Sequence, residues 1–303
     1  MGAGHGHGAS TESAAGRHRW RLAVSFGLVA AFFLVELVAG LISGSLALLS
    51  DAGHMAADVV VLGAALVATK VAVRPDSTGR RTYGSYRAEV FASGVAVLVM
   101  LGVATYVVIE AISRAGDSVE VQTGPMLVVG AIGLAINLVS MLLLRAGAEE
   151  SLNVKGAYLE VIADAAGSVG VIVAGLLVIW TGAGWWDTAV ALAIGVFVAV
   201  RAVGLGRQVL AVLGQHAPEG LDVDGVASDL ESLDGVADVH DLHAWTLTSG
   251  MNVATAHLVL QDGAETAPVL QSAQQLLRDR YGVAHATLQV EERASAHCAE
   301  LSW

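Results

Sequence analysis

A chain of 303 residues that is 55% hydrophobic and 15% charged, with a mean hydropathy of +0.64, is far more apolar than a soluble domain, in which about 25% of residues are charged. A net charge of −12 excludes a nucleic-acid binder, which needs a basic face, and the single Cys298 excludes an intramolecular disulfide framework. The acids are unevenly placed: residues 1–213 hold 14 against 13 Lys/Arg, while residues 214–303 hold 14 against 3, so a nearly neutral part precedes an acidic, soluble-looking tail.

Residues 1–20 form a polar tail rich in Gly, Ala and His, in which the run Gly4-His5-Gly6-His7-Gly8 offers two spaced imidazoles. Six apolar segments follow, at 21–43, 46–72, 88–112, 125–145, 153–180 and 185–206, each near the ~20 residues that cross a bilayer as a helix. The first continues too far for a signal peptide and is followed by further spans. Arg17, Arg19 and Arg21 precede the first span, Lys70, Arg74, Arg80, Arg81 and Arg87 lie between the second and third, and Arg145 and Lys155 between the fourth and fifth. Arg201 and Arg207 mark the exit from the sixth, and the three remaining connections hold only Arg114. Under the positive-inside rule both termini are cytoplasmic, in a multi-pass protein of the cytoplasmic membrane. Trp180, Trp185 and Trp186 flank the loop between spans five and six as interfacial anchors.

Past residue 208 the pattern changes. A helical stretch over 219–233 is followed by alternating segments at 236–248 and 251–261, joined through Thr248-Ser249-Gly250, then by an amphipathic helix over 266–281 and a strand over 284–292. This α-β-β-α-β order predicts a small α+β domain, helices on one face of a sheet, over 209–293. A short C-terminal tail, 294–303, ends the chain. The expected architecture is therefore a polytopic α-helical membrane protein, with six transmembrane helices over 21–208 and a cytoplasmic domain behind them.

Two stretches inside the apolar segments carry charges that a bilayer penalises by ~2.5–3.5 kcal/mol each. In span two, Asp51, His54 and Asp58 share one helix face, and in span five Glu160 and Asp164 stand one turn apart. At 1.5 Å per residue, His54 and Asp58 lie roughly 12 and 18 Å from one side, and Glu160 and Asp164 roughly 10 and 16 Å from the other. Both pairs thus reach mid-depth on antiparallel helices. One imidazole and three carboxylates match the four-ligand count of Zn²⁺, and three carboxylates in apolar surroundings repel unless a cation or protons sit among them. Asp51, one turn from His54, is a possible accessory, either ligand or hydrogen-bond helper. Asn137 suits interhelical hydrogen bonding, and Glu36, Glu89 and Glu110 read as structural or vestibular. In the tail, His240, His243, His257, His285, Glu291, His297 and Cys298 are metal-binding residue types, and His240 and His257 stand on neighbouring strands where they can meet.

The motifs Gly44-Ser45-Leu46-Ala47-Leu48-Leu49-Ser50-Asp51-Ala52-Gly53-His54-Met55-Ala56-Ala57-Asp58, Tyr83-Gly84-Ser85-Tyr86-Arg87-Ala88-Glu89-Val90, Ala163-Asp164-Ala165-Ala166-Gly167-Ser168-Val169-Gly170 and Val239-His240-Asp241-Leu242-His243-Ala244-Trp245-Thr246-Leu247-Thr248-Ser249-Gly250 carry a resemblance over nearly the whole chain. The chain resembles the cation diffusion facilitators, metal/proton antiporters, in their zinc-transporting bacterial branch. The resemblance implies six spans, a cytoplasmic ferredoxin-like domain and a homodimer. His54 and Asp58 match the family's first transport pair and Asp164 the acid of the second; His240 and His257 match positions of cytoplasmic metal binding. Glu160 stands where the zinc branch usually has histidine, which makes the site harder and more anionic and comparatively better for Mn²⁺. Gln289 stands where some relatives place a histidine.

The expected activity is efflux of a divalent cation, Zn²⁺ first and Mn²⁺, Co²⁺, Cd²⁺ or Fe²⁺ behind it, in exchange for protons. An imidazole ordinarily titrates near pH 6.5, which makes His54 the first candidate for the exchanging proton. A metal-permeable channel is the nearest rival. An intramembrane metallohydrolase is disfavoured because the chain has no His-Glu-x-x-His run.

Overall fold

The computed structural model of the chain describes residues 19–71, 82–84, 87–114, 121–148, 152–248 and 250–292. The histidine-rich start of the N-terminal tail lies outside these residues, as do His297 and Cys298. Six long helices come first: α1 (Arg19–Ser43), α2 (Leu46–Val71), α3 (Ala88–Ser113), α4 (Thr123–Ala148), α5 (Leu152–Thr181) and α6 (Trp185–Leu213). The last runs on to Leu213, beyond the end expected at 206. Then come α7 (Val223–Glu231), β1 (Val236–Thr248), β2 (Met251–Leu260), α8 (Thr266–Tyr281) and β3 (His285–Glu291). The chain divides into two compact units, one from residues up to 67 with 92–206, the other from 68–91 with 207 onward.

In the helical unit, α1, α3, α4, α5 and α6 each have the length and hydropathy of a membrane span over their described residues. Helix α2 carries Asp51, His54 and Asp58 in its first half, and its side chains from 61 to 71 lie outside the described set. The helices face outward with large apolar groups, Leu142 at 72% and Trp180 at 84% exposure among them. Hydrocarbon, and not water, is the solvent such a surface fits. Inside, Phe32, Leu48, Met55, Val107, Met126, Val171 and Ala191 pack in one cluster fed by all six long helices. A second cluster joins Ala57 of α2 with Ala96 and Met100 of α3 and Val198 and Ala202 of α6. Small residues let α2 sit close to its neighbours: a Cβ at Gly53 would collide with the Val103 side chain, and one at Gly167 with the Asp51 carboxylate.

Helix α2 begins on a nonlocal cap. Gly44 turns the chain at φ +68°, and Ser45 Oγ accepts the Leu48 N–H at 3.2 Å as an N-cap residue does. The next two amides donate to Asp187, at the start of α6: Leu46 N–H at 2.7 Å and Ala47 N–H at 3.3 Å. The Ser45 hydroxyl donates to the same carboxylate at 2.6 Å. Asp187 is fully buried, and its second neighbour is the Arg114 guanidinium at 3.9 Å. A carboxylate at a helix N-terminus satisfies orphan amides and opposes the positive end of the dipole. This arrangement fixes the start of the helix that bears His54.

In the second unit, β1 and β2 pair antiparallel and β2 and β3 parallel, a three-stranded sheet in the order β1-β2-β3. The hairpin between β1 and β2 turns with Gly250 at φ +73°. Helices α7 and α8 cover one face, where Val226, Leu230, Ala254, Leu258, Val269 and Leu277 form the core. Helix α8 ends on Gly282 in the left-handed region at φ +65°, a position glycine takes without Cβ strain. Alternation along the strands puts His257, Thr255 and Gln289 on the opposite, uncovered face.

Candidate metal centres

Within the helical unit, His54 and Asp58 lie one turn apart on α2, and Asp164 meets them from α5. Asp58 Oδ2 is 3.6 Å from His54 Nδ1, and Asp164 Oδ1 is 3.6 Å from His54 Nε2. All three residues are buried, at 2%, 8% and 2% exposure, and their ligand atoms lie within 4.8 Å of one another. Two atoms bound to one tetrahedral Zn²⁺ at about 2.0–2.1 Å stand roughly 3.4 Å apart, a spacing that the Asp164 Oδ1–His54 Nε2 separation suits, while Asp58 faces the other nitrogen of the ring. Glu160 sits on α5 one turn before Asp164, and its side chain lies outside the described residues.

Further polar groups surround this trio. The Arg201 guanidinium, on α6, comes to 3.0 Å of His54 Nε2. Phe197, one turn earlier, meets the His54 ring edge-on at 6.1 Å and carries the Arg201 guanidinium 5.8 Å above its own ring. Glu36 of α1 and Asp51 of α2 are 0% and 1% exposed, and their carboxyl groups lie within hydrogen-bonding reach of each other. Neither Glu36 oxygen, nor Asp51 Oδ1, has a donor among the described residues. Asn137 of α4 donates to Ser168 Oγ of α5 at 3.5 Å, a link between helices of the kind expected of it.

The sheet unit builds a second cluster on its uncovered face. His240 and His257 stand directly opposite in the β1–β2 register, with ring centroids 5.2 Å apart. Glu291, at the end of β3, reaches both: Oε1 lies 3.1 Å from His257 Nδ1 and Oε2 3.8 Å from His240 Nε2. The three offer ligand atoms within 4.8 Å of one another. Gln289, the register partner of His257, donates from Nε2 to Glu291 Oε1 at 2.7 Å and so orients the carboxylate. A bulge between His240 and His243 holds Asp241 at φ +54°, in the left-handed region that few non-glycine residues adopt. It turns Asp241 toward His243 at 3.0 Å and toward His257 Nε2 at 3.9 Å.

His285, grouped with this cluster on sequence, does not join it. It pairs with Val253 at the other end of β3, about 20 Å from Glu291 at ~3.3 Å per residue. Its ring instead meets Tyr83 edge-on at 5.7 Å. Period-two spacing puts His285 and Glu291 on one face of the sheet, but the parallel register decides which end of the strand each occupies.

Residues 22–213 match the family model of the cation efflux transmembrane domain, and residues 218–293 that of the cation efflux protein cytoplasmic domain. The chain belongs to the cation efflux family. Among the relatives of this cation efflux protein is the cation efflux system protein CzcD of Alcaligenes sp., 40% identical over 292 residues, covering 96% of this chain and 90% of CzcD. The cadmium, cobalt and zinc/H(+)-K(+) antiporter of Bacillus subtilis is 32% identical over 302 residues, with 98% and 94% coverage. The zinc transporter ZitB of Escherichia coli is 36% identical over 273 residues, with 89% and 87% coverage. These relatives are transporters and not enzymes, and so is this multi-pass membrane protein.

Three groups around the sites of this efflux protein escape a sequence reading. Arg201 reads as an interfacial cation, yet it lies inside α6 beside His54, because that helix continues past it to Leu213. Glu36 reads as structural or vestibular, although a carboxylate inside an unbroken apolar run is itself a signal. Asp187 follows two tryptophans at a loop end and gives no local sign that its partners are the amides of α2.

Proposed function

We propose that this cation efflux protein moves a divalent metal cation, Zn²⁺ first, from the cytosol across the cytoplasmic membrane in exchange for protons. The observation that carries the reading is the buried trio His54, Asp58 and Asp164, three ligand atoms within 4.8 Å inside an apolar helical unit. Glu160, one turn from Asp164, completes the set as fourth ligand. The names of the relatives, zinc among their ions and H(+) in one, support the same reading.

On this account six helices span the membrane, α2 being the sixth such span, over residues 21–208, with both termini cytoplasmic. Residues 209–293 form a ferredoxin-like cytoplasmic domain through which two copies associate as a homodimer. The metal enters from the cytosol when the ligands have shed their protons, since carboxylates and a neutral imidazole bind metal and their protonated forms do not. When the helices rock to face outward, protons compete for the same ligands and release the ion. His240, His257 and Glu291 bind a further metal ion in the cytoplasmic domain, where the acidic surface collects cations and occupancy tightens the dimer. Glu160 supplies oxygen in place of nitrogen and sets how Zn²⁺ ranks against Mn²⁺, Co²⁺, Cd²⁺ and Fe²⁺.

The test is metal-resolved uptake into proteoliposomes under an imposed pH gradient. An antiporter accumulates Zn²⁺ against its own gradient, and Asp164→Asn abolishes that accumulation. Flux that only dissipates a metal gradient would make the protein a channel.

A further inference from the structure

We propose that Arg201 is a resident counter-cation of the membrane site, which holds Nε2 of His54 when no metal is bound and must release it for metal to bind. The inference rests on the transport reading above. The guanidinium has donors and no acceptor, so at 3.0 Å from Nε2 it donates, and Nε2 must be the unprotonated nitrogen of the ring. The ring proton is then on Nδ1, which has no hydrogen-bond partner among the described residues. Asp164 Oδ1 lies 3.6 Å from that same Nε2. An ion bridging His54 Nε2 and Asp164 therefore uses the lone pair that Arg201 now occupies. One lone pair serves one cation at a time.

The surroundings hold Arg201 in this place. Ala57, Val198 and Ala202 pack together and bring α6 against α2 at this level. Phe197 lies beneath the guanidinium at 5.8 Å and beside the His54 ring at 6.1 Å, an aromatic face that suits a planar cation. With Arg201 as competitor the site binds its ion less tightly and lets it go faster, so Arg201 is a positioning and affinity-setting residue for transport.

The experiment measures Zn²⁺ affinity of the purified full-length protein by competition with a chromophoric chelator, in a His257→Ala background that removes the cytoplasmic site. Removing a unit positive charge a few ångströms from a divalent ion in a partly buried site predicts that Arg201→Gln binds Zn²⁺ at least about tenfold tighter. In proteoliposomes the same variant lowers both KM and maximal rate, because release slows. Arg201→Lys keeps the charge and stays within about threefold of the parent protein in affinity, and it serves as the folded control. Unchanged or weaker Zn²⁺ binding in Arg201→Gln, with Arg201→Lys folded and binding normally, overturns the proposal. Asp164→Asn in the same assay separates the two levels. If it abolishes binding while Arg201→Gln changes nothing, the Arg201 role alone fails; if it leaves binding intact, the transport site itself is misassigned and the Arg201 proposal falls with it.

Discussion

Asp187→Ala is expected to destabilise the helical unit by removing the cap on α2. The variant strips the acceptor from the Leu46 and Ala47 amides and from the Ser45 hydroxyl, all in a fully buried setting. Ser45 Oγ still accepts the Leu48 amide, and Arg114 keeps Glu110 at 2.9 Å and the Gly44 carbonyl at 2.9 Å, so those contacts survive. Two orphaned buried amides cost about 1–3 kcal/mol each, and the hydroxyl can turn to another acceptor, so the loss is about 2–6 kcal/mol. Asp187→Asn keeps one acceptor oxygen but not the charge opposite the helix dipole, and should lose roughly half as much. The assay is reversible unfolding of the purified protein in mixed micelles, followed by helical signal against denaturant. Zn²⁺ affinity should fall alongside, since His54 and Asp58 hang on the helix whose start has loosened. An Asp187→Ala protein as stable as the parent, or an Asn variant less stable than the Ala variant, would refute the capping argument.

Other substitutions probe separate contacts. Glu36→Gln introduces an amide donor beside Asp51, where neither Glu36 oxygen has a donor among the described residues; it should raise the thermal midpoint, whereas a lowered midpoint would show that Glu36 acts as a needed anion. Gly53→Ala drives a Cβ into Val103 and should cost about 1–3 kcal/mol, recovered in part by Val103→Ala, as unfolding of the single and double variants would reveal. His257→Ala should lower bound Zn²⁺ by one ion per chain in elemental analysis after desalting, while His285→Ala, whose ring meets Tyr83 and not Glu291, should leave the count unchanged.

Much of the fold is written in local pattern. Apolar runs bounded by arginines and tryptophans mark the long helices, and period-two and period-3.6 segments mark the sheet unit, because both signals depend only on neighbours in sequence. His54 and Asp58 announce themselves as charges one turn apart in an apolar helix, and His240 and His257 as residues on strands joined by a tight turn. What is not legible is decided by register and by contacts between distant elements. The parallel pairing of Val253 with His285 carries His285 away from Glu291. Arg201 comes to His54 through the packing of distant helices, and no local rule says that a cation near the expected end of a span will meet a histidine 147 positions earlier. Asp187 caps a helix 141 residues upstream for the same reason.

Metal flux against a gradient in proteoliposomes tests the central claim most directly. With an inside-acid pH gradient and equal Zn²⁺ on both sides, vesicles oriented with the cytoplasmic domain outward should concentrate Zn²⁺ and lose their pH gradient as they do so. Asp58→Asn and Asp164→Asn should do neither. Zn²⁺ accumulation that persists in either variant, or Zn²⁺ entry that leaves the proton gradient untouched, would contradict the account.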